Sequence, residues 1–244
     1  MPGNQLVVLG CDGSYPGPGG AASGYLVRSA STLVWVDAGP GTFANLQRQC
    51  DPRQLDAVVL SHEHPDHWTD IESFAVWARQ VGRQQPTPVY APRGLRERSY
   101  FGKDPVLAWH VVESPSEAQI GDLRCSFVAT DHGPPTNAVC FEALGPTTGS
   151  LGYSADTGPD WAIEQLGTGI GLMLCEATYT RVDEGRYRHL SGRQAGSMAA
   201  TAAVSRLLLT HRWPSVSASE VLAEAAAAFG GPVVQAAIDA TYEW

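Results

Sequence analysis

The sequence is short of positive charge. Its 244 residues hold 16 Lys and Arg against 25 Asp and Glu, a formal net charge of −9 with the seven His counted neutral. A chain that grips nucleic-acid phosphates over a wide face needs the opposite balance, so extended nucleic acid is disfavoured, one local basic pocket aside. Long apolar runs are also missing. None approaches the roughly 20 residues that cross a bilayer, and no membrane partner is expected. The five cysteines, Cys11, Cys50, Cys125, Cys140 and Cys175, are odd in number, widely spaced and without a CxxC pair. That disfavours a disulfide framework or a thiolate zinc site and makes a reducing cytoplasm the expected compartment. Segment 1–10 has no basic n-region and no long apolar core, so it reads as a first strand and not as a secretory leader. No internal repeat or low-complexity linker stands out. The remainder, 43% hydrophobic and 17% charged, is an ordinary globular composition with length for one large α/β domain or two small ones.

Apolar runs rich in β-branched residues recur at 5–9, 24–27, 33–36, 57–60, 88–90, 123–129, 138–143, 150–153, 171–175, 206–210 and 232–238. Each ends in a cluster of Gly, Pro, Asp, Ser or His, as strands do. Most are short and nearly continuous in hydrophobicity, as expected of strands inside a layered fold. Helical spacing appears at 67–81, where Ile71, Phe74, Ala75 and Ala78 follow an i, i+3, i+4, i+7 pattern. Ala-rich helices are expected at 192–204, behind Ser191, and at 217–229, where Ser217 stands three residues before Glu220 as in a capping box. Both read as packing elements against a sheet. Two Gly/Pro-rich stretches remain, 10–24 and 144–149. The first is either a functional loop or an ordinary connection.

The chemistry is concentrated in Ser61-His62-Glu63-His64-Pro65-Asp66-His67, between a strand and a helix. Imidazole nitrogen and carboxylate oxygen suit zinc or a similar divalent ion, and three His with an Asp in six residues are hard to read as an idle polar loop. Further candidates stand just past strands: His132 after 123–129, Asp156 after 150–153 and His211 after 206–210. That is where α/β folds gather their sites. Together they offer two three-ligand sets and one shared carboxylate.

This series of residues, His62-x-His64-x-Asp66-His67 followed by His132, Asp156 and His211, all after Asp37, resembles the metallo-β-lactamase superfamily over nearly the whole chain. The resemblance implies a single domain over 1–244 with a four-layer αββα sandwich and two divalent metal ions at its edge. His62, His64 and His132 would hold the first ion; Asp66, His67 and His211 the second; Asp156 would bridge them. Asp37 would orient a ligand. Ions about 3.5–4 Å apart would activate a water and clamp a reacting oxygen, and Asp66 would take a proton from the nucleophile. Zinc is the default, with manganese or iron also suited to Asp66 and Asp156.

Cys175-Glu176-Ala177-Thr178 and His189-Leu190-Ser191 resemble motifs of the ribonuclease Z-like branch, with Cys175 where a His is usual. Carried over, His189 is a general acid and Glu176 its orienter. Transfer-RNA 3′ processing, the endonuclease alternative, is disfavoured. No Lys/Arg-bearing insertion large enough for a tRNA-gripping arm is present, and 133–155 holds no Lys or Arg. What remains resembles compact relatives of ribonuclease Z, among them atypical cyclic-nucleotide phosphodiesterases. The expected substrate is a small phosphodiester and the expected assembly a homodimer. Trp68 and Trp213 read either as packing or as borders of the base, and Arg212 either as a phosphate contact or as solvated. Rival readings keep the metals and change the substrate to a lactone, β-lactam or thioester, or keep the fold as a non-enzymatic factor. The intact ligand set argues against the latter.

Overall fold

A computed structural model describes residues 3–145 and 148–244, so part of the 144–149 stretch lies outside the described residues. The elements run β1 (Gln5–Gly10), β2 (Gly24–Arg28), β3 (Leu33–Ala38), α1 (Thr42–Gln49), β4 (Ala57–Val59), α2 (Asp70–Gln80), β5 (Thr87–Pro92), α3 (Leu95–Arg98), β6 (Leu107–Val112) and β7 (Ser116–Ile120). They continue with β8 (Leu123–Ala129), β9 (Asn137–Ala143), β10 (Ser150–Tyr153), β11 (Leu172–Glu176), α4 (Gly192–Thr201), β12 (Leu207–Thr210), α5 (Ala218–Phe229), β13 (Val233–Gln235) and β14 (Thr241–Glu243).

Strand alternation builds the layers. In β1, Leu6 and Val8 point into one apolar cluster, shared with Val34 and Val36 of β3 and with Phe127, Phe141, Leu151 and Leu174 of the second sheet. The intervening Val7 and Leu9 point the other way, to Phe43, Leu46, Ile71 and Phe74 of α1 and α2. A third cluster lies between the far face of the second sheet and α4 and α5. Three apolar cores between four layers make the αββα sandwich that the resemblance implies.

The sheet orders are β14-β1-β2-β3-β4-β5-β6 and β13-β12-β11-β10-β9-β8-β7. Both are mixed. Strands β3 to β6 run parallel in the first sheet and β10 to β13 in the second. Their C-terminal ends carry every residue named as a site candidate except His132, which follows the antiparallel β8, and His189, which precedes α4. No helix among the described residues is long and apolar enough to cross a membrane.

The helix expected at 67–81 starts later than its periodicity suggests. Pro65–His67 is a single 3₁₀ turn and the α-helix begins at Asp70. Its four predicted core residues, Ile71, Phe74, Ala75 and Ala78, are all fully buried. Ser191 caps α4 in a complete capping box with Gln194, and Ser217 accepts from the Glu220 N–H at the start of α5.

A candidate dinuclear metal centre

The seven proposed ligands meet at one edge of the sandwich. Ligand atoms of His62, His64, His132 and Asp156 lie within 4.8 Å of one another, as do those of Asp66, His67 and His211. Asp156 faces both sets with different oxygens. Its Oδ2 is 3.5 Å from His62 Nε2 and 3.7 Å from His132 Nε2. Its Oδ1 is 3.2 Å from His67 Nε2 and 3.3 Å from His211 Nε2. Asp66 Oδ2 closes the second set, 3.4 Å from His67 Nε2 and 3.3 Å from His211 Nε2.

The surrounding hydrogen bonds aim the rings. Asp37 ends β3 with a left-handed backbone, φ 52°. Its Oδ2 accepts from His67 Nδ1 at 2.7 Å and from the Tyr153 hydroxyl at 2.7 Å, and it also accepts from Ser61 Oγ at 2.8 Å. Ser61 Oγ in turn lies 3.0 Å from His62 Nδ1. His211 Nδ1 is 2.9 Å from Thr178 Oγ1, and His132 Nδ1 is 3.3 Å from the Arg188 carbonyl. These partners take up Nδ1 in all four rings and turn Nε2 toward Asp156. His64 is turned the other way, with Nδ1 3.1 Å from His132 Nε2. Tyr153 does not stand out in the sequence, because its role depends on reaching across the sheets. Thr178 lies in the Cys175-Glu176-Ala177-Thr178 motif, but its contact with His211 after a neighbouring strand cannot be read from that motif.

Whether the cluster fits metal can be judged from its unmet needs. His62 Nε2, His67 Nε2 and Asp156 Oδ1 are buried without a hydrogen-bond partner, a costly state for polar atoms. Asp37, Asp66 and Asp156 are 0%, 8% and 2% exposed, and among the described residues the basic side chains in ion-pair range of them are imidazoles. Burial pushes the pKa values of His62, His64 and His132 down, so these rings stay neutral, the form that binds metal. Burial also lowers that of His67, but the Asp156, Asp66 and Asp37 carboxylates outweigh it and drive the ring toward protonation. Three neutral imidazoles, with buried carboxylates that draw a proton onto His67 for want of a permanent cation, are what divalent ions would satisfy.

Beside the sets stands His189, with its Nδ1 3.0 Å from Glu176 Oε1 and 4.0 Å from Asp156 Oδ2. Its ring lies 5.2 Å from that of His132 and 5.3 Å from that of His211. Burial lowers its pKa, and Glu176 more than reverses this, raising it to about 9. Glu176, fully buried, also accepts from the Thr157 N–H, Thr178 Oγ1 and the Leu190 N–H. All its lone pairs are committed, so it orients and does not act as a base.

The glycine-rich 10–24 loop reaches the site. The Gly13 N–H donates to the Arg212 carbonyl, and the Ser14 N–H lies 3.4 Å from His211 Nε2. A Cβ on Gly13 would stand 2.2 Å from the His211 carbonyl oxygen, so the close approach needs glycine. Trp68, 8% exposed, packs in the helix-side core and donates its indole N–H to the Glu63 carbonyl. Arg212 is half-buried, and its Nη1 donates to the Trp213 and Val216 carbonyls.

The beta-lactamase superfamily domain matches residues 32–212. The chain belongs to the beta-lactamase superfamily. Rv1339 of Mycobacterium tuberculosis is 35% identical over 254 residues, covering 98% of this chain and 92% of its own. The metallo-beta-lactamase fold protein YhfI of Bacillus subtilis is 30% identical over 219 residues, covering 85% of this chain and 86% of its own. Its crystal structure superposes with a TM-score of 0.89 over 99% of both chains, at 26% identity. Ribonuclease Z of Kineococcus radiotolerans is 28% identical over 284 residues, covering 93% of this chain and 90% of its own. This superfamily member is a metal-dependent hydrolase with the metallo-β-lactamase fold and a candidate His/Asp metal site.

Proposed function

We propose that the chain hydrolyses the phosphodiester of a small nucleotide, a cyclic one in particular. The observation that carries this reading is the His189–Glu176 pair set beside Asp156. A site that only opened a lactone or β-lactam would not need a carboxylate-held imidazolium next to its metal ligands. An ester whose leaving group is a sugar oxygen does, because an alkoxide leaves poorly without a proton.

In this reading His62, His64 and His132 would hold one divalent ion and Asp66, His67 and His211 the other, with Asp156 offering an oxygen to each set. The ions, when bound, polarise the phosphoryl oxygens and lower the pKa of water. Glu176 fixes Nδ1 of His189, leaving Nε2–H to protonate the departing 3′ oxygen as the P–O bond breaks. Asp66 accepts the proton of the attacking water. Burial alone would raise the Asp66 pKa, but the facing His67 and His211 rings hold it down and keep the carboxylate ionised.

A related chain named ribonuclease Z supports phosphodiester chemistry. The surface supports a small substrate over tRNA. Arg93 is paired with Glu113, Arg98 with Glu63 and Arg124 with Glu142, and Arg48, Arg53, Arg79, Arg186, Arg188 and Arg193 also face carboxylates, which leaves little uncompensated positive charge for a phosphate backbone.

The test is a turnover screen of metal-loaded protein beside His189→Ala. Its substrates are bis(p-nitrophenyl) phosphate, 3′,5′-cyclic AMP, 2′,3′-cyclic nucleotides, a lactone and nitrocefin. Cyclic-nucleotide turnover that falls about 10²–10⁴-fold in the variant is expected. Lactone or nitrocefin turnover that survives His189→Ala would replace the phosphodiesterase reading.

A further inference from the structure

Two aromatic side chains beside the metal centre belong to none of the three apolar cores. Tyr187 is 51% exposed, and Trp213 is half-buried. Their ring centroids are 4.9 Å apart and their planes meet at 77°. Fixed neighbours hold both. The Trp213 indole N–H donates to Ser14 Oγ at 3.0 Å, and its backbone N–H donates to the Thr178 carbonyl at 3.1 Å. The buried Tyr179 hydroxyl lies 3.0 Å from the Tyr187 carbonyl and 2.6 Å from the His189 carbonyl. Its ring stands 6.0 Å from Trp213 and 6.3 Å from Tyr187.

These ties place the pair next to the chemistry. Ser14, which holds the indole, has its backbone N–H 3.4 Å from His211 Nε2. Tyr187 is two residues before His189 and shares its anchor on Tyr179. Tyr187 and the pinned Trp213 indole therefore form a joined aromatic surface at the edge of the metal centre, the indole held by Ser14 and the Tyr187 backbone by Tyr179. Pre-ordered aromatic surface beside a phosphate-handling site is what a nucleobase meets favourably, since every base has a π-face and little side-chain entropy is lost.

We infer that Tyr187 and Trp213 are the base-stacking wall of this site and set its preference for nucleotide esters over phosphodiesters without a base. The inference rests on the phosphodiesterase reading and adds to it which side chains bind the substrate's base.

The experiment compares 3′,5′-cyclic AMP with ribose 3′,5′-cyclic phosphate, the same ester without its base, on metal-loaded wild type, Tyr187→Ala, Tyr187→Phe and Trp213→Ala. Calorimetric titrations with AMP and ribose 5-phosphate give the same comparison without turnover. Loss of a stacked base is worth about 5- to 150-fold, so the wild-type preference for the base-bearing ligand should shrink by about that factor in both alanine variants. Tyr187→Phe should keep it. An unchanged preference in a folded Tyr187→Ala protein overturns the wall, and that variant decides alone if Trp213→Ala does not fold. If wild type hydrolyses neither ester, the phosphodiesterase reading fails. The titrations then judge the wall: a preference for AMP that Tyr187→Ala loses upholds it, and no wild-type preference overturns it.

Discussion

Asp156 gives one oxygen to each ligand set, and that division makes it the least replaceable carboxylate. Asp156→Asn swaps an anionic oxygen for an amide facing imidazole nitrogens, so elemental analysis should show metal lost from both sets. Asp66→Asn should deplete mainly one. Equal losses in the two variants would mean that Asp156 does not bridge. His189 supplies a prediction in pH. Its pKa is raised to about 9, so the proton a general acid needs is present through neutral pH and lost as pH rises through that value. Divalent ions in the adjacent sets oppose the positive charge and move the loss to lower pH in the loaded enzyme. The alkaline fall of kcat/KM should therefore disappear in His189→Ala, and a fall that persists would assign it to another group. At this scale the sequence was informative for residues whose type is the signal. Seven His and Asp candidates near strand ends can be read directly, and the structure brings them together. Tyr153 could not, because its hydroxyl reaches an aspartate 116 residues away on the other sheet.

Strands were legible where both faces are buried, as in β11, whose five residues are all enclosed. Elements outside the core were not. Strand β7 exposes alternate polar residues at a sheet edge. The three residues of β14 become a strand only by pairing with β1. Helix α1 has Gly41 at its N-cap, with no side-chain hydrogen bond to announce the start. The late start of α2 has a local reason: His64 to His67 must turn their side chains to a common centre, and a continuous helix from His67 would carry the chain elsewhere. Cap chemistry also matters at α4. Ser191 Oγ accepts from the Gln194 N–H at 3.1 Å while the Ser191 N–H donates to Gln194 Oε1 at 2.9 Å. This fixes the chain two residues after His189. Ser191→Ala should cost about 0.5–2 kcal/mol in urea unfolding. A variant as stable as wild type would show that the cap contributes nothing.

Across the whole molecule, each ligand set draws on both sheets. His62, His64, Asp66 and His67 come from the loop after β4, while His132, Asp156 and His211 follow strands of the second sheet. Metal therefore ties the halves together. Free metal at a hundredfold its Kd is worth about 2.7 kcal/mol, or roughly 5–11 °C in Tm for a chain of this size. Removing metal with a chelator should lower Tm by that order, and an unchanged Tm would rule out binding at these residues. The seam also orders events in time. No single sheet owns a complete set, so the full coordination of an ion waits until the two sheets have met. Metal bound across this seam would act less as a template, as in a zinc finger, than as a latch closing on the assembled fold, and loading it should slow unfolding in a stopped-flow measurement while leaving the refolding rate unchanged.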